Sequence, residues 1–265
     1  MTRLALAAAL LVMAQDAATP PAKLLVSVWY RGTPAGTPVP ADLAVIRALG
    51  FGGVVWPAPQ TPRQATSNPI ATMADAAGLT LLQAAAPHAA TPQSALVPAA
   101  RVDLIANLEN AGAITALAWR AVAHGARSLA FDGGVTQGHG LENADRSLKP
   151  WARAAIDVAR QFTANPRLIA SFAPGPGLIT TPDLAPALDV VMLDAGRAWA
   201  VIATNTSNAV IAASVRLPAG TPYAIWVDVL DGSTLAMNGE SAGPRWDLKL
   251  PAYAAHVYVI DKITK

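Results

Sequence analysis

Apolar and polar positions along the chain fall into two regimes that meet near Pro174–Pro186. Before that boundary, short apolar runs alternate with segments of helical period. Leu24–Tyr30 (LLVSVWY), Phe51–Trp56 (FGGVVW), Leu79–Ala84, Val102–Asn107 (VDLIAN) and Ser128–Phe131 read as buried strands. Ala41–Leu49, Ile70–Ala77, Ala113–His124 and Trp151–Phe162 repeat apolar residues at helical spacing. Gly50, Gly78 and Gly125 close the first three of these helices. Leu168–Phe172 reads as one more short strand, and Pro87–Ala100 fits neither period. The alternation predicts a parallel sheet with helices outside it. Beyond Pro186 the helical period is lost. Asp189–Leu193, Trp199–Asn205, Val210–Arg216, Tyr223–Val229, Trp246–Leu250 and Ala255–Ile260 read as strands, broken by turns such as Leu230-Asp231-Gly232 and Asn238-Gly239. That pattern predicts a small antiparallel β-sandwich.

The first regime is too short for a closed barrel. It offers five or six strands in about 150 residues, where a complete (β/α)₈ barrel takes about 250. The expected fold class is therefore α/β plus all-β: an abbreviated (β/α) barrel, or an open sheet, over residues 22–173, then a β-sandwich over 187–265. A shortened barrel leaves strand edges that a loop, the second domain or another subunit has to cover. A homo-oligomer is one way to cover them.

The N-terminus changes the expected location. Met1-Thr2-Arg3 carries one positive charge, Leu4–Ala14 is apolar, and Gln15–Pro21 is small and polar. That is a secretory leader over residues 1–18, too short for a bilayer span of about 20 residues. A buried N-terminal helix is the competing reading. The expectation is export, to the periplasm or medium, with the mature chain starting between Gln15 and Ala18. No later segment reads as a membrane span.

Composition removes several classes of function. Cysteine is absent, so disulfides, thiolate nucleophiles and Cys-based metal sites are excluded. The net charge of +2 is scattered and forms no basic stripe, which argues against nucleic acid. His88, His124, His139 and His256 show no ligand spacing, so no dedicated metal site and no cofactor are expected. Phosphate loops, dinucleotide fingerprints and Gly-x-Ser-x-Gly elbows are missing.

What remains is chemistry at the carboxyl ends of the strands, where α/β folds place their sites. Asp132 ends the strand 128–131, Glu109 follows the strand 102–107, and Glu142 lies in the loop after Asp132. A glycosidase needs two such carboxyls, one to protonate the leaving oxygen and one to attack the sugar or activate water. Each also has a structural reading. Glu109 suits the start of a helix, Asp132 suits the N–H groups of Gly133-Gly134, and Glu142 suits a solvated loop. Trp29, Tyr30, Arg31 and Trp56 end the first two strands. Their rings and guanidinium suit a pyranose, or else cap the core. His139, between Gly138 and Gly140, is either a ligand contact or an exposed loop residue.

Several segments carry a family resemblance. Trp119-Arg120-Ala121-Val122-Ala123-His124-Gly125-Ala126-Arg127, followed by Leu129-Ala130-Phe131-Asp132, resembles the unit leading into the last barrel strand of family 42-type glycoside hydrolases. Leu141–Trp151 resembles the segment that closes those barrels. Leu49-Gly50-Phe51-Gly52-Gly53-Val54 resembles their opening unit. Leu217-Pro218-Ala219-Gly220 and Ala255–Ile260 resemble the small β-domain that follows many of them. The resemblance implies a glycoside hydrolase with two catalytic Glu, and Glu109 falls where the family's nucleophile lies. The chain departs from the family in having only Glu109, Glu142 and Glu240. No Glu precedes Glu109, so the family's acid/base has no counterpart. Two functions follow as expectations: an exported glycoside hydrolase using Glu109 with Asp132 or Glu142, or a carbohydrate-binding relative without activity. A third is an exported structural protein whose truncated barrel is an assembly surface.

Overall fold

The computed structural model of the chain describes residues 24–33, 37–57, 69–84, 102–105, 110–133, 139–175, 179–180, 187–219, 221, 225–236 and 245–262. Residues 1–18, expected to be a leader, and Glu109 lie outside these residues.

The first half builds one parallel sheet from β1 (Leu25–Trp29), β2 (Gly53–Pro57), β3 (Thr80–Ala84), β4 (Val102–Ile105) and β5 (Ser128–Phe131). Its five strands run in the order β3-β2-β1-β5-β4. Each strand lies beside its chain neighbour, and the last strand, β5, pairs with the first. Among the described residues that is the neighbour order of an incomplete barrel, with β3 and β4 at its edges.

Side-chain alternation gives the sheet two unlike faces. Val26, Val28, Tyr30, Val54, Leu129 and Phe131 join the large core with the helices. These helices are α1 (Pro40–Ala48), α2 (Pro69–Ala76), α3 (Ala113–Ala123) and α4 (Pro150–Ala164). On the other face Trp29, Val55, Leu82 and Ala130 form a small separate cluster.

Helix α4 shows how sequence sets this packing. Pro150 starts it, and Trp151, Ala152, Ala155, Ile156, Ala159 and Phe162 recur at helical spacing on its buried side. Helix α3 (AITALAWRAVA) is apolar nearly all round, which calls for burial on more than one side. Its Ile114, Ala116, Ala118, Trp119, Val122 and Ala123 are all buried. Gly125 then takes φ 92°, a left-handed conformation that ends the helix at little steric cost.

A second layer explains the burial of α3. β8 (Leu188–Ala195), β9 (Ala198–Asn205), β11 (Ile225–Asp228), β12 (Thr234–Ala236), β14 (Ala255–Asp261) and the short β6 (Ala173–Pro174) form a six-stranded sheet. Leu193, Ala198, Ala200, Ile202 and Val257 on one of its faces belong to the same core as α3. The opposite face, with Val201, Ala203, Trp226 and Tyr258, packs on a three-stranded sheet. That sheet consists of β7 (Ile179–Thr180), β10 (Ile211–Arg216) and β13 (Arg245–Leu250). β13 alternates strictly: Trp246, Leu248 and Leu250 point inward, Arg245, Asp247 and Lys249 outward. The β-rich second half is thus antiparallel and two-layered.

Two readings of the sequence need correction. Leu168–Phe172 is not a strand: Pro166 opens a short helix, α5 (Pro166–Ser171), that buries Ile169. A proline at the first helical position presets φ, and this outweighs the short apolar run. The Pro/Gly-rich boundary also pairs more than its composition implied. β6 pairs with β8 and β7 with β10, so the segment ties the two sheets together. Pro174 is tolerated because β6 is an edge strand.

Candidate functional site

The register of β1 with β5 sets Val28 opposite Phe131. Trp29 and Asp132 therefore leave the sheet at the same level, and Arg31 follows two residues beyond Trp29. Arg31 donates from Nη1 to Asp132 Oδ1 at 2.8 Å and from Nη2 to Oδ2 at 2.9 Å. This is a two-point, charge-assisted pair. Its side chains are 20% and 14% exposed, so water reaches the rim but does not surround it. The guanidinium carbon also lies 5.3 Å from the centroid of the Trp29 ring. Trp29, Arg31 and Asp132 thus form one unit at the carboxyl ends of two adjacent parallel strands.

Below that rim the inner face is polar in an unusual way. Ser27 and Ser128 are buried with hydroxyls that meet no hydrogen-bond partner among the described residues, as is the indole N–H of Trp29. Ser27 fits over Gly53, where a Cβ would come within 2.8 Å of its Oγ.

Tyr30 and Trp56 sit on the opposite face. The register pairs Trp29 with Val55, which turns Trp56 away from Trp29. The two rings pack on each other at 5.4 Å in the helix-side core. A single cleft lined by both Trp29 and Trp56 is therefore ruled out by strand alternation. Tyr30 has a bracing role: its hydroxyl donates to Asp42 Oδ2 at 3.1 Å and accepts the N–H of Val39 at 2.7 Å. Burial pushes the Tyr30 phenol up to about 12. The Val39 N–H opposes this, and the Asp42 carboxylate adds to it.

His139 is buried, and its Nδ1 accepts the N–H of Leu141 at 3.1 Å. Burial lowers its pKa below the usual imidazole value, against the pull of Asp42 and Glu142. A neutral imidazole with Nδ1 as acceptor carries its hydrogen on Nε2. Glu142 lies 3.9 Å from Arg146, and its backbone bridges Leu148. The structure thus divides the expected site residues. Trp29, Arg31 and Asp132 come together. Tyr30 and Trp56 pack elsewhere, beside Asp42. His139 and Glu142 belong to the loop before α4, and Glu109 lies outside the described residues.

Sequence reasoning missed Asp42, Ser27 and Ser128. Asp42 was signalled only by its place in the first turn after Pro40, where acids are common. The two serines looked like ordinary strand residues. A further group, Asp228, Asp231 and His256, gathers in the second half of the chain although no histidine spacing announced it.

A cavity of about 390 Å³ lies between the carboxyl end of α3 and β8, lined by His124, Arg127, Phe172, Pro174, Val190 and Met192. Its polar groups are already engaged. His124 Nε2 lies 2.5 Å from Asp189 Oδ2, and Arg127 donates to the Phe172 carbonyl. Among the described residues no helix is long and apolar enough to cross a membrane.

Chemically, the rim offers a fixed anion, a planar fork of donors and an indole beneath them. With a guanidinium across both oxygens, Asp132 suits the charged role in glycoside cleavage, as base or nucleophile, better than the proton-donating one. No family model matches the chain, and no curated protein does. Similar solved structures include a glycoside hydrolase family 30 subfamily 8 xylanase from Clostridium acetobutylicum. It has 11% identity and a TM-score of 0.36, over 80% of this chain and 49% of the xylanase. A GH30 endoxylanase from Clostridium papyrosolvens has 12% identity and a TM-score of 0.33, over 81% and 50%. An alpha-amylase from Geobacillus thermoleovorans has 13% identity and a TM-score of 0.40, over 58% and 34%. The chain spans about half the length of the two xylanases. A likeness at this level bears on neither activity nor substrate.

Proposed function

We propose that the chain is an exported, glycoside-hydrolase-like protein that takes carbohydrate at the rim formed by Trp29, Arg31 and Asp132. The observation that carries this reading is the two-point Arg31–Asp132 pair above Trp29, at the carboxyl ends of β1 and β5. A guanidinium and a carboxylate fixed side by side present donors and acceptors in one plane, which matches neighbouring sugar hydroxyls. The indole below, itself buried, backs the guanidinium and holds it in that plane. The test is calorimetric titration with a panel of oligosaccharides. A ligand that binds the wild type is expected to lose at least tenfold in affinity with Arg31→Met. No binding across the panel, or equal binding by the variant, overturns the reading.

Hydrolysis is the second reading, favoured by one topological fact. β4 lies directly beside β5, so the strand that precedes Glu109 neighbours the strand that ends at Asp132. With Asp132 held as the anion, Glu109 is the proton donor. Turnover of an aryl glycoside that falls by orders of magnitude with Glu109→Gln, with binding retained, supports this. Turnover unchanged in that variant removes it. Export is tested by intact mass: the secreted chain is expected to lack residues up to about Gln15, and a mass retaining Met1 refutes it.

A further inference from the structure

Asp228, Asp231 and His256 stand apart from the rim, at one end of the β-sandwich. Antiparallel pairing of β11 with β14 sets Asp228 beside Tyr258. Residue 256 lies two positions earlier on the same face of β14. Asp228 is fully buried. Its Oδ1 accepts the N–H of Leu230 at 2.9 Å and of Val257 at 3.2 Å, and its Oδ2 lies 2.5 Å from His256 Nδ1. Asp231 is exposed and accepts the N–H of Ser233 at 2.7 Å. The His256 ring stacks on Tyr258 at 5.6 Å and 17°, which fixes its plane. One potential ligand atom from each of the three residues falls within 4.8 Å of the others.

Two carboxylates and one imidazole in so small a volume carry excess negative charge. A bound cation would relieve the excess. The donor set also selects among cations. One imidazole nitrogen with two carboxylate oxygens suits a zinc-type ion with water in the fourth position. Calcium and magnesium prefer all-oxygen shells.

We propose that Asp228, Asp231 and His256 bind one divalent transition-metal ion of the zinc type. The ion takes the place of the hydrogen between His256 Nδ1 and Asp228 Oδ2. Two donors each about 2.1 Å from a tetrahedral centre stand roughly 3.4 Å apart, so the imidazole moves by less than about 1 Å. Asp228 supplies the buried anchor, and Asp231 with the exposed edge of His256 provides the way in. Once bound, the ion fastens the β11–β12 hairpin to β14.

The test uses the full chain after chelation, titrated with zinc and, for its absorption bands, cobalt. The expected result is one equivalent per chain, a thermal midpoint raised by several degrees, and cobalt bands of a mixed nitrogen–oxygen site. Asp231→Asn is expected to weaken binding at least tenfold and to abolish the cobalt bands. Because Asp231 is exposed, this variant keeps the fold even where His256→Ala, which strands buried Asp228, does not. Absence of saturable binding overturns the proposal. So does binding that survives Asp231→Asn, including binding that falls instead with His124→Ala and so belongs to the His124–Asp189 pair.

Discussion

Replacing Arg31 by Met tests the rim independently of any ligand. The exchange keeps most of the stem that covers Trp29 and removes two charge-assisted bonds, of 2.8 and 2.9 Å, from Asp132. In a fully buried pair, loss of one partner costs about 3–5 kcal/mol. In an exposed pair the interaction is worth only about 0.2–1 kcal/mol. Exposures of 20% and 14% put this pair between those limits. We therefore expect Arg31→Met to cost about 2 kcal/mol. Asp132→Asn, which turns an amide N–H₂ against the guanidinium, should cost about 1.5 kcal/mol. The double variant should cost less than the sum, leaving a coupling of about 1 kcal/mol. Urea denaturation of the wild type, both single variants and the double variant closes the cycle. A coupling within about 0.3 kcal/mol of zero would show that the pair is not a fixed unit, and the site argued from it would fall with it.

Two further perturbations probe the packing around the site. Tyr30 and Tyr258 have folded-state pKa values raised to about 12 from 10.0, so the native state holds these protons after the unfolded state has released them. Their contribution is fully present below pH 10 and is lost as pH rises from 10 towards 12, on the order of 1–2 kcal/mol each. Urea melts across that window should show the fall, and an equally steep fall in Tyr30→Phe/Tyr258→Phe would refute the assignment. At Gly133 a Cβ would come within 2.6 Å of Trp151 Cζ2, on a ring that is itself buried. Gly133→Ala is therefore expected to destabilise by about 1–3 kcal/mol, and a variant as stable as the wild type would mean that Trp151 repacks freely.

Much of the fold was legible because burial and periodicity coincide. Phe51–Trp56 and Leu129–Phe131 are apolar throughout because both faces of a parallel strand are covered. Trp246–Leu250 alternates because one face of β13 meets solvent. The reading failed where local chemistry beats periodicity: Pro166 turned an apolar run into helix, and the boundary segment found strand partners far away in sequence. Of the site, Trp29, Arg31 and Asp132 were legible from their places at strand ends. Tyr30 and Trp56 also end strands, yet the Trp29–Val55 register sends them to the helix side. Register follows from the assembled sheet, and no single strand encodes it. Asp228 and His256 were invisible as a pair because pairing across 28 residues brings them together.

Helix α3 depends on a layer that is made long after it. Its apolar surround is buried partly by Ala198, Ala200 and Ile202 of β9, so α3 waits for about 80 further residues before that side is covered. At a synthesis rate of about 5–20 residues per second, this amounts to several seconds with that side of α3 facing water. The delay arises whether the chain emerges from a ribosome or threads through a secretion pore. During it, the surface most prone to self-association is the one that later joins the two halves. A chain of this order suits a cell that supplies a holding chaperone, and it penalises any change that slows the arrival of β8 and β9.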